Sequence, residues 1–588
     1  MEITRNFDLL TGLKLNYNRP VAIAGKKHGA WMEYSTDEYV RIVDNLSYGL
    51  LQTGINRGDK VAIISSNRPE WNFTDFGVSQ LGAVTVPMYP TLGSADFKYI
   101  LNNAEVKVIF VENEELYRKV EAVKGEVPSL QKIYSFDHVP GVSLWKELAE
   151  LGNKNPDPQR VEQLKALVKP DDLMTLIYTS GTTGIPKGVM LSHNNVISNV
   201  RASQKVCPVT SEHKVLSFLP LCHIFERMIC YLYHYVGATI YYAESMETIG
   251  ENLKEVKPFA FSTVPRLLEK VYDRIVAKGY ELSGIKKTLF FWALDLGLKF
   301  ELGNRNGWWY HRKLKIADKL IFSKWREALG GNVGVIVSGA AALQPRLARV
   351  FTAAGVNVLE GYGLTETSPV ITVNRMEHEN RMFGSVGPVI EHVQIKIAED
   401  GEILCKGPNV MLGYYKLPEA TREVIDGDGW FHTGDVGTII DGRFLKITDR
   451  KKEVFKTSGG KYVAPQPMEN KFKESPFIEQ IMVIGEGEKH PAALIVPAWD
   501  YLKSWCEKNG IAWLSREEMV ANPQVRQVYQ TEINTYNKGY GDWETIKKFE
   551  LIPGEWSIDG GEMTPKLSLK RRVVMEKYSK LVNKIYGK

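Results

Sequence analysis

Cysteine is scarce in this chain. Five residues in 588, Cys207, Cys222, Cys230, Cys405 and Cys506, stand far apart, and none belongs to a C-x-x-C pair. That number and spacing argue against a disulfide framework or a cysteine-built zinc site and fit the reducing cytoplasm. Long apolar runs are also lacking: no stretch reaches the roughly 18 residues that a membrane-spanning helix needs. The opening MEITRNFDLLTGLKLN has no basic start followed by an apolar core, so it does not read as a secretory leader. Nor is there an excess of one charge. Lys and Arg number 74 against 69 Asp and Glu, a net of +5. Over this length that is no nucleic-acid footprint, although it permits attraction to an anionic surface. The expectation is a cytoplasmic protein, soluble or at most peripheral on the inner face of the membrane.

What is present is an ordinary globular composition, 44% hydrophobic and 24% charged, in a chain too long for one core, so at least two domains are expected. From Lys60 the pattern alternates. KVAIISS reads as a buried strand, RPEWNFTDFGVSQLG as a helix ended by Gly82, and AVTVPMY as a second strand. SADFKYILNNA then reads as a helix with Ser94 as N-cap, and VKVIFVEN as a third strand. Strand–helix–strand repetition with short connections implies a parallel, doubly wound sheet. The same grammar returns at NVGVIVSGAAAL, a helix with Pro345 in its first turn, and VNVLEGYGLTE. Beyond Asp441 come a short hairpin, the charge run DRKKE, a Gly–Gly turn, a helix and two more strands, the texture of a small α+β domain. Between Phe290 and Leu329, aromatic and basic residues at helical spacing leave two readings open: a membrane-surface helix, or a core-packed insertion with solvated lysines.

The stretch YTSGTTGIPKGVMLSH, Tyr178 to His193, follows the apolar strand DLMTLIYTS, and the carboxyl ends of strands are where open α/β sheets bind ligands. It is not a Walker loop, which needs G-x-x-x-x-G-K-[ST]. Pro186 stands where the glycine before the lysine belongs, and Gly188 where the hydroxyl belongs. Backbone N–H groups, the hydroxyls of Thr179, Ser180, Thr182 and Thr183, the glycines Gly181 and Gly184, and the charge of Lys187 can still wrap a polyphosphate. Further along stand SFLPLCHIFERM with His223, SGAAAL with Gly339 and Ala340, EGYGLTETSP, GWFHTGDVG, ITDRKKE, TSGGKYVAP and MTPKLSLKRRVVMEKY.

Together and in this order, these blocks resemble the adenylate-forming superfamily of acyl-CoA synthetases, nonribosomal-peptide adenylation domains and luciferases, over nearly the whole chain. The resemblance implies a large N-terminal AMP-binding and acyl-binding domain (1–449) with doubly wound sheets. A hinge (450–452) would join it to a mobile small α+β C-terminal domain (453–588). It also implies that ATP is not split to ADP: a carboxylate attacks the α-phosphorus, the loop holds the departing pyrophosphate, and a thiol then displaces AMP. His223 is then expected to orient the acyl carboxylate. Gly339, Ala340, Glu360, Gly361, Tyr362 and Gly363 are expected around the adenine, and Thr365 near the α-phosphate. Glu366 and Thr182 are expected at Mg2+, which takes few protein oxygens and the rest from phosphate and water. Asp435 and Arg450 are expected at the ribose, Lys452 at the hinge, and Ser458, Gly459 and Gly460 along the tunnel of the CoA thiol.

At the last block the chain departs from the pattern. Aligned on Arg571 and Arg572, the family's mobile lysine falls on Ser568, with Lys566 and Lys570 two residues either side. Lys570 is the choice, since residues two apart in an extended segment face the same side. The spacing of LCHIFER, the long helical segment and the TSGGKYVAPQPMEN block are most similar to long-chain fatty acyl-CoA synthetases. That implies ATP, CoA and a long-chain fatty acid as substrates. Alternatives are an acyl-AMP ligase serving an acyl carrier protein and a non-catalytic AMP- or acyl-binding sensor. The sequence leaves the oligomeric state open, a homodimer included.

Overall fold

The structure is a computed structural model that describes residues 1–179, 185–558, 560–564 and 568–588. Two eight-stranded sheets dominate it. In the first, the strands run from one edge as Gly413–Tyr414, Lys187–Ser192, Leu173–Thr179, Val84–Met88, Lys60–Ile64, Val106–Val111, Lys132–Ser135 and Ser143–Leu144. Lys60–Ile64 pairs parallel with both Val84–Met88 and Val106–Val111. These strands are buried on both faces, which is why they read as unbroken apolar runs. The helices Pro69–Gln80 and Ser94–Ala104 make the crossovers. Gly93, not Ser94, caps the second of these, and no side chain bonds to its N-terminus. Ser94 is already the first helical residue.

The second sheet runs Val370–Val373, Asn357–Gly363, Val335–Ser338, Ala260–Thr263, Lys214–Ser217, Thr239–Tyr242, Ile23–Lys27 and Ala30–Tyr34. One apolar cluster joins the two sheets and encloses a polar knot. Arg227, on the helix Ile224–Val236, pairs with Asp75 and donates to Thr175 of the first sheet at 2.8 Å and to Tyr231 at 2.9 Å. All four side chains are buried. Removing one partner of such a pair costs about 3–5 kcal/mol, because the other charge stays buried alone.

A four-stranded antiparallel sheet, Gln394–Ile397, Glu402–Lys406, Phe431–Ile440 and Phe444–Arg450, was not anticipated from the sequence. After it comes a smaller α+β unit with its own apolar clusters. Its strands Ile478–Ile484 and Ala492–Pro497 pair antiparallel, Lys548–Leu551 joins parallel, and the helices Pro465–Phe472, Trp499–Lys508 and Pro523–Tyr536 pack on them. The small unit meets the large one through charge. Arg266 pairs with Glu479, Lys473 lies 3.3 Å from Glu269, and Arg346 donates to the Lys473 carbonyl at 3.3 Å. Between Ala260–Thr263 and Val335–Ser338 of the second sheet the chain inserts the helices Pro265–Glu281, Gly284–Leu298, Gly307–Ala317 and Ser323–Ala328, with a wide π turn at Asp318–Phe322.

Candidate functional site

The phosphate-loop candidate joins two antiparallel neighbours, Leu173–Thr179 and Lys187–Ser192, rather than a strand and a helix. Thr179 and Lys187 face each other across the mouth of this hairpin. Ser180, Gly181, Thr182, Thr183 and Gly184 lie outside the described residues. Tyr178 donates to Asn103 at 2.6 Å, and a Cβ on Gly188 would press within 3.1 Å of the Tyr178 ring. That contact accounts for the glycine after the lysine.

Lys187 holds its Nζ 4.9 Å from the centre of the Tyr414 ring. The Tyr414 hydroxyl donates to Glu366 Oε1 at 3.0 Å. Burial and the neighbouring carboxylate push the Tyr414 phenol upward, so it stays protonated and able to donate. Glu366 sits on the short 3-10 turn Thr365–Thr367, whose position is tied by the Met411 N–H donating to the Glu366 carbonyl at 2.8 Å. Lysine, tyrosine and carboxylate thus form a row beside the hairpin mouth. Tyr414 was missed in the sequence, although it stands in GYYK and on the strand Gly413–Tyr414 that pairs with Lys187–Ser192.

A second cluster adjoins the first through the strand Asn357–Gly363. The Tyr362 hydroxyl donates to Asp435 Oδ2 at 2.7 Å, and Arg450 Nε lies 3.6 Å from Asp435 Oδ1. Asp435 and Arg450 are direct partners across their antiparallel strands. Burial raises the Asp435 carboxyl above its usual range while the guanidinium opposes that shift. The Tyr362 phenol is raised well above its ordinary value by burial and the same carboxylate. Around them the backbone leaves no room: a Cβ on Gly363 would fall 1.7 Å from the Pro369 carbonyl oxygen. A Cβ on Gly339 would lie 3.1 Å from the Phe225 ring, and Ala340 holds a left-handed φ of 67°. A non-glycine residue there marks stored backbone strain, the kind that collects at binding sites. Glu360 is buried and accepts from the backbone of Leu343 and Gly384, its carboxyl pushed up to about 8 by desolvation. Thr365 is buried beside Glu366, and Gly361 packs against Thr372.

His223 caps the helix Ile224–Val236, its Nδ1 accepting from the Phe225 N–H at 3.2 Å. Within that helix Glu226 is buried, bonded by the Ser217 and Ser262 hydroxyls, and pushed up to about 7 by desolvation.

The remaining sites lie on the small unit or its approach. Lys452 sits in the turn after the strand Phe444–Arg450. Ser458, Gly459 and Gly460 form the exposed tip of the hairpin Phe455–Lys456/Tyr462–Val463, and Gly460 has a φ of 75°. Among the described residues no hydrogen bond links this tip to the Tyr362–Asp435 cluster. The Thr564 N–H donates to the Ser568 carbonyl at 2.8 Å, and the Ser568 N–H to the Thr564 hydroxyl at 3.2 Å. Lys566 lies outside the described residues. Lys570 is exposed at the start of the helix Arg571–Lys577, which the half-buried Arg571 pins by a 2.6 Å bond to Glu469.

For a divalent cation the chemistry of the donors fits in part. Glu366 provides a hard carboxylate, and its Oε2 is not the oxygen that Tyr414 occupies. Among the described residues no group of three or more His, Cys, Asp or Glu side chains gathers to cage a metal. One carboxylate with phosphate and water completing the shell is the usual arrangement for Mg2+.

Residues 15–415 match the family described as AMP-binding enzyme, and residues 452–588 match the AMP-binding enzyme C-terminal domain. The chain belongs to the AMP-binding enzyme family. It is 32% identical over 566 residues to a long-chain-fatty-acid–CoA ligase of Mycobacterium bovis, covering 95% of this chain and 93% of that one. It is 34% identical to the peroxisomal long chain acyl-CoA synthetase 6 of Arabidopsis thaliana, over 95% of this chain and 81% of the relative. Among solved structures, the adenylation domain of a carboxylate reductase from Mycobacterium chelonae superposes with a TM-score of 0.76 at 22% identity, covering 99% of this chain and 91% of that one. This last likeness concerns the fold. It agrees with a large N-terminal and a small C-terminal unit.

Proposed function

We propose that this AMP-binding enzyme activates a long-chain fatty acid as its acyl-adenylate, releasing pyrophosphate, and then transfers the acyl group to the thiol of CoA. The observation that carries the reading is the adjacency of two clusters, Lys187–Tyr414–Glu366 and Tyr362–Asp435–Arg450, at one end of the sheets. It is supported by the names of relatives that match over nearly the full chain.

In the first step a carboxylate oxygen of the acid bonds to the α-phosphorus and the bond from that phosphorus to the pyrophosphate oxygen breaks. Tyr362 and the glycine-lined strand receive the purine, Asp435 and Arg450 the ribose hydroxyls, and Thr365 the α-phosphate. Lys187 offsets charge developing on the phosphates, the kind of preorganised electrostatics that contributes most in a site shielded from water. His223, fixed by its bond from Phe225, orients the attacking carboxylate. Mg2+, when bound through Glu366 and Thr182, would supply Lewis-acid neutralisation of the phosphate oxygens. In the second step the CoA sulfur, its proton lost to solvent, bonds to the acyl carbon as the bond to AMP breaks. We place Ser458, Gly459 and Gly460 along the path of that thiol. Residues 1–449 form the nucleotide- and acyl-binding domain, and 453–588 the mobile domain. Lys452 lies within the hinge at 450–452, about which the small domain turns between the steps. Lys570 is the lysine delivered for adenylation. The reaction is assigned to the cytoplasm, at the periphery of its membrane.

The test is exchange of labelled pyrophosphate into ATP, run with and without palmitate, followed by thioester formation with free CoA. Exchange that requires the acid, and thioester with AMP release when CoA is added, is the expected result. Production of ADP and orthophosphate regardless of lipid acid would overturn the reading. Thioester formed only on a carrier protein would correct its second half.

A further inference from the structure

The helical insertion between Ala260–Thr263 and Val335–Ser338 has two unlike faces. Its inner face is core: Tyr310 donates to the Leu296 carbonyl at 2.6 Å, and Ala317, Phe322 and Trp325 are buried against the helix Gly284–Leu298 and its neighbours. Tyr310, Leu314, Ala317, Ile321 and Trp325, all packed on that core, recur every three or four residues, as a packed stripe requires. The outer face is apolar and basic at once. Trp308 is 58% exposed, Trp309 72%, Ile316 54% and Leu320 41%. Two adjacent tryptophans this exposed are unusual, because a tryptophan is mostly buried in a folded protein. Among them stand Arg312, Lys313, Lys315 and Lys319, all exposed. Between residues 305 and 324 the one acid is Asp318, and its charge is taken by Arg326 at 2.5 Å. The surface is therefore cationic without local compensation. The Arg312 guanidinium lies 4.7 Å from the Trp308 ring, so charge and aromatic share one patch.

We propose that this outer face, from Trp308 to Leu320, is a docking surface for an anionic lipid bilayer. Tryptophan settles at the boundary between headgroups and acyl chains. An amphipathic helix lying there sinks its apolar side chains about 5–10 Å into that boundary. Lysine and arginine stems lie along the apolar layer while their charges reach the lipid phosphates. A protein partner would need an acidic, aromatic-accepting groove, whereas a bilayer with anionic headgroups meets both chemistries of the patch at once. The proposal deepens the reading given above, since a fatty acid of long chain resides in such a layer and the docked face would bring the enzyme to it.

The experiment uses the full chain and sedimentation with vesicles of phosphatidylcholine alone or mixed with phosphatidylglycerol. Each basic residue near an anionic surface contributes about 1 kcal/mol, roughly fivefold in partitioning. The triple variant R312Q/K313Q/K315Q should therefore bind mixed vesicles about a hundredfold less well. The aromatic variant W308S/W309S should lose at least tenfold at high salt, where the charges are screened. Both changes are on exposed side chains, and thermal unfolding checks that each variant folds. Acid-dependent pyrophosphate exchange with a short, soluble acid should be unchanged in both. Equal binding to neutral and mixed vesicles, wild-type failure to sediment, or a triple variant that binds like wild type would each overturn the proposal. So would a wild-type dimer that W308S/W309S turns to monomer without any vesicle binding, which would give the face to a second copy. Exchange that survives while vesicle binding fails leaves the activity reading intact, and the reverse result separates the two.

Discussion

The large unit and the small unit carry their candidate residues in opposite ways. In the large unit the side chains already touch: Lys187 on Tyr414, Tyr414 on Glu366, Tyr362 on Asp435, Asp435 facing Arg450. They project from strands of the sheets and a short turn, with Gly363 where no side chain fits and Gly339 where a Cβ would crowd the Phe225 ring. In the small unit Ser458 to Gly460 occupy an exposed hairpin tip and Lys570 an exposed helix start. On the function proposed above, the contrast means that binding nucleotide needs little rearrangement, whereas groups on the small unit must be carried to the reaction. The boundary between the units is polar, with Arg266–Glu479 and Lys473–Glu269 across it. Polar interfaces of this kind let domains move relative to one another.

That comparison can be broken by substitution. The largest effect is expected for Glu366→Gln, which keeps the shape and removes the charge. Pyrophosphate exchange should fall by about 10²–10³-fold, while isothermal titration with a non-hydrolysable acyl-adenylate analogue should change little. If the analogue binds far more weakly, Glu366 belongs to the nucleotide pocket's architecture instead.

Next in size is Lys570→Ala. Adenylation should drop about a hundredfold, yet thioester formation from a supplied acyl-adenylate should proceed at the wild-type rate. Normal exchange in this variant together with loss in Lys566→Ala would transfer the role to Lys566. An equal loss in both half-reactions would mean a defect of folding.

A smaller change is expected for Tyr362→Phe. The ring remains and only the 2.7 Å bond to Asp435 goes. A hydrogen bond to a charged group contributes about 1.5–3 kcal/mol, so the KM for ATP should rise roughly tenfold or more, with kcat nearly unchanged. A loss confined to kcat would place Tyr362 at the reacting phosphate and not at the base or ribose.

Last comes stability. Glu226 is buried with its carboxyl raised from 4.5 to about 7. A raised folded value means that the native state binds the extra proton between those two pH values. The associated stability is complete below 4.5 and is lost as pH rises through 7. Glu226→Gln should thus unfold at higher urea than wild type at pH 8, by roughly 3 kcal/mol from the size of that shift. The difference should vanish near pH 4. A variant less stable at both pH values would show that the Ser217 and Ser262 hydroxyls need a carboxyl oxygen that the amide does not replace.

Much of the candidate site could be named from the sequence because its residues come in short contiguous blocks. Thr179 and Lys187 are cross-strand neighbours, Gly361 to Glu366 run from a strand end into a short turn, and Asp435 and Arg450 pair across one hairpin, so local spacing preserves their order in space. Tyr414 escaped because its role depends on a two-residue strand, Gly413–Tyr414, being added beside Lys187–Ser192 from over 200 residues away. The Arg227–Asp75 pair was equally hidden: a charge in FERM reads as surface until the two sheets close around it. Ser94 was misjudged as a cap because the preceding Gly93, extended at φ −80° and ψ 163°, already fills that place.

The sequence alone determined the alternation of strand and helix, the change of texture after Asp441 and the departure at Ser568, since periodicity and local chemistry need no knowledge of distant partners. Tertiary structure decided which side chains meet, which carboxyls are desolvated, and which face of the Gly307–Ala317 helix is left in water. Those outcomes depend on how sheets and helices close on one another, and burial is a property of that closure rather than of any residue by itself.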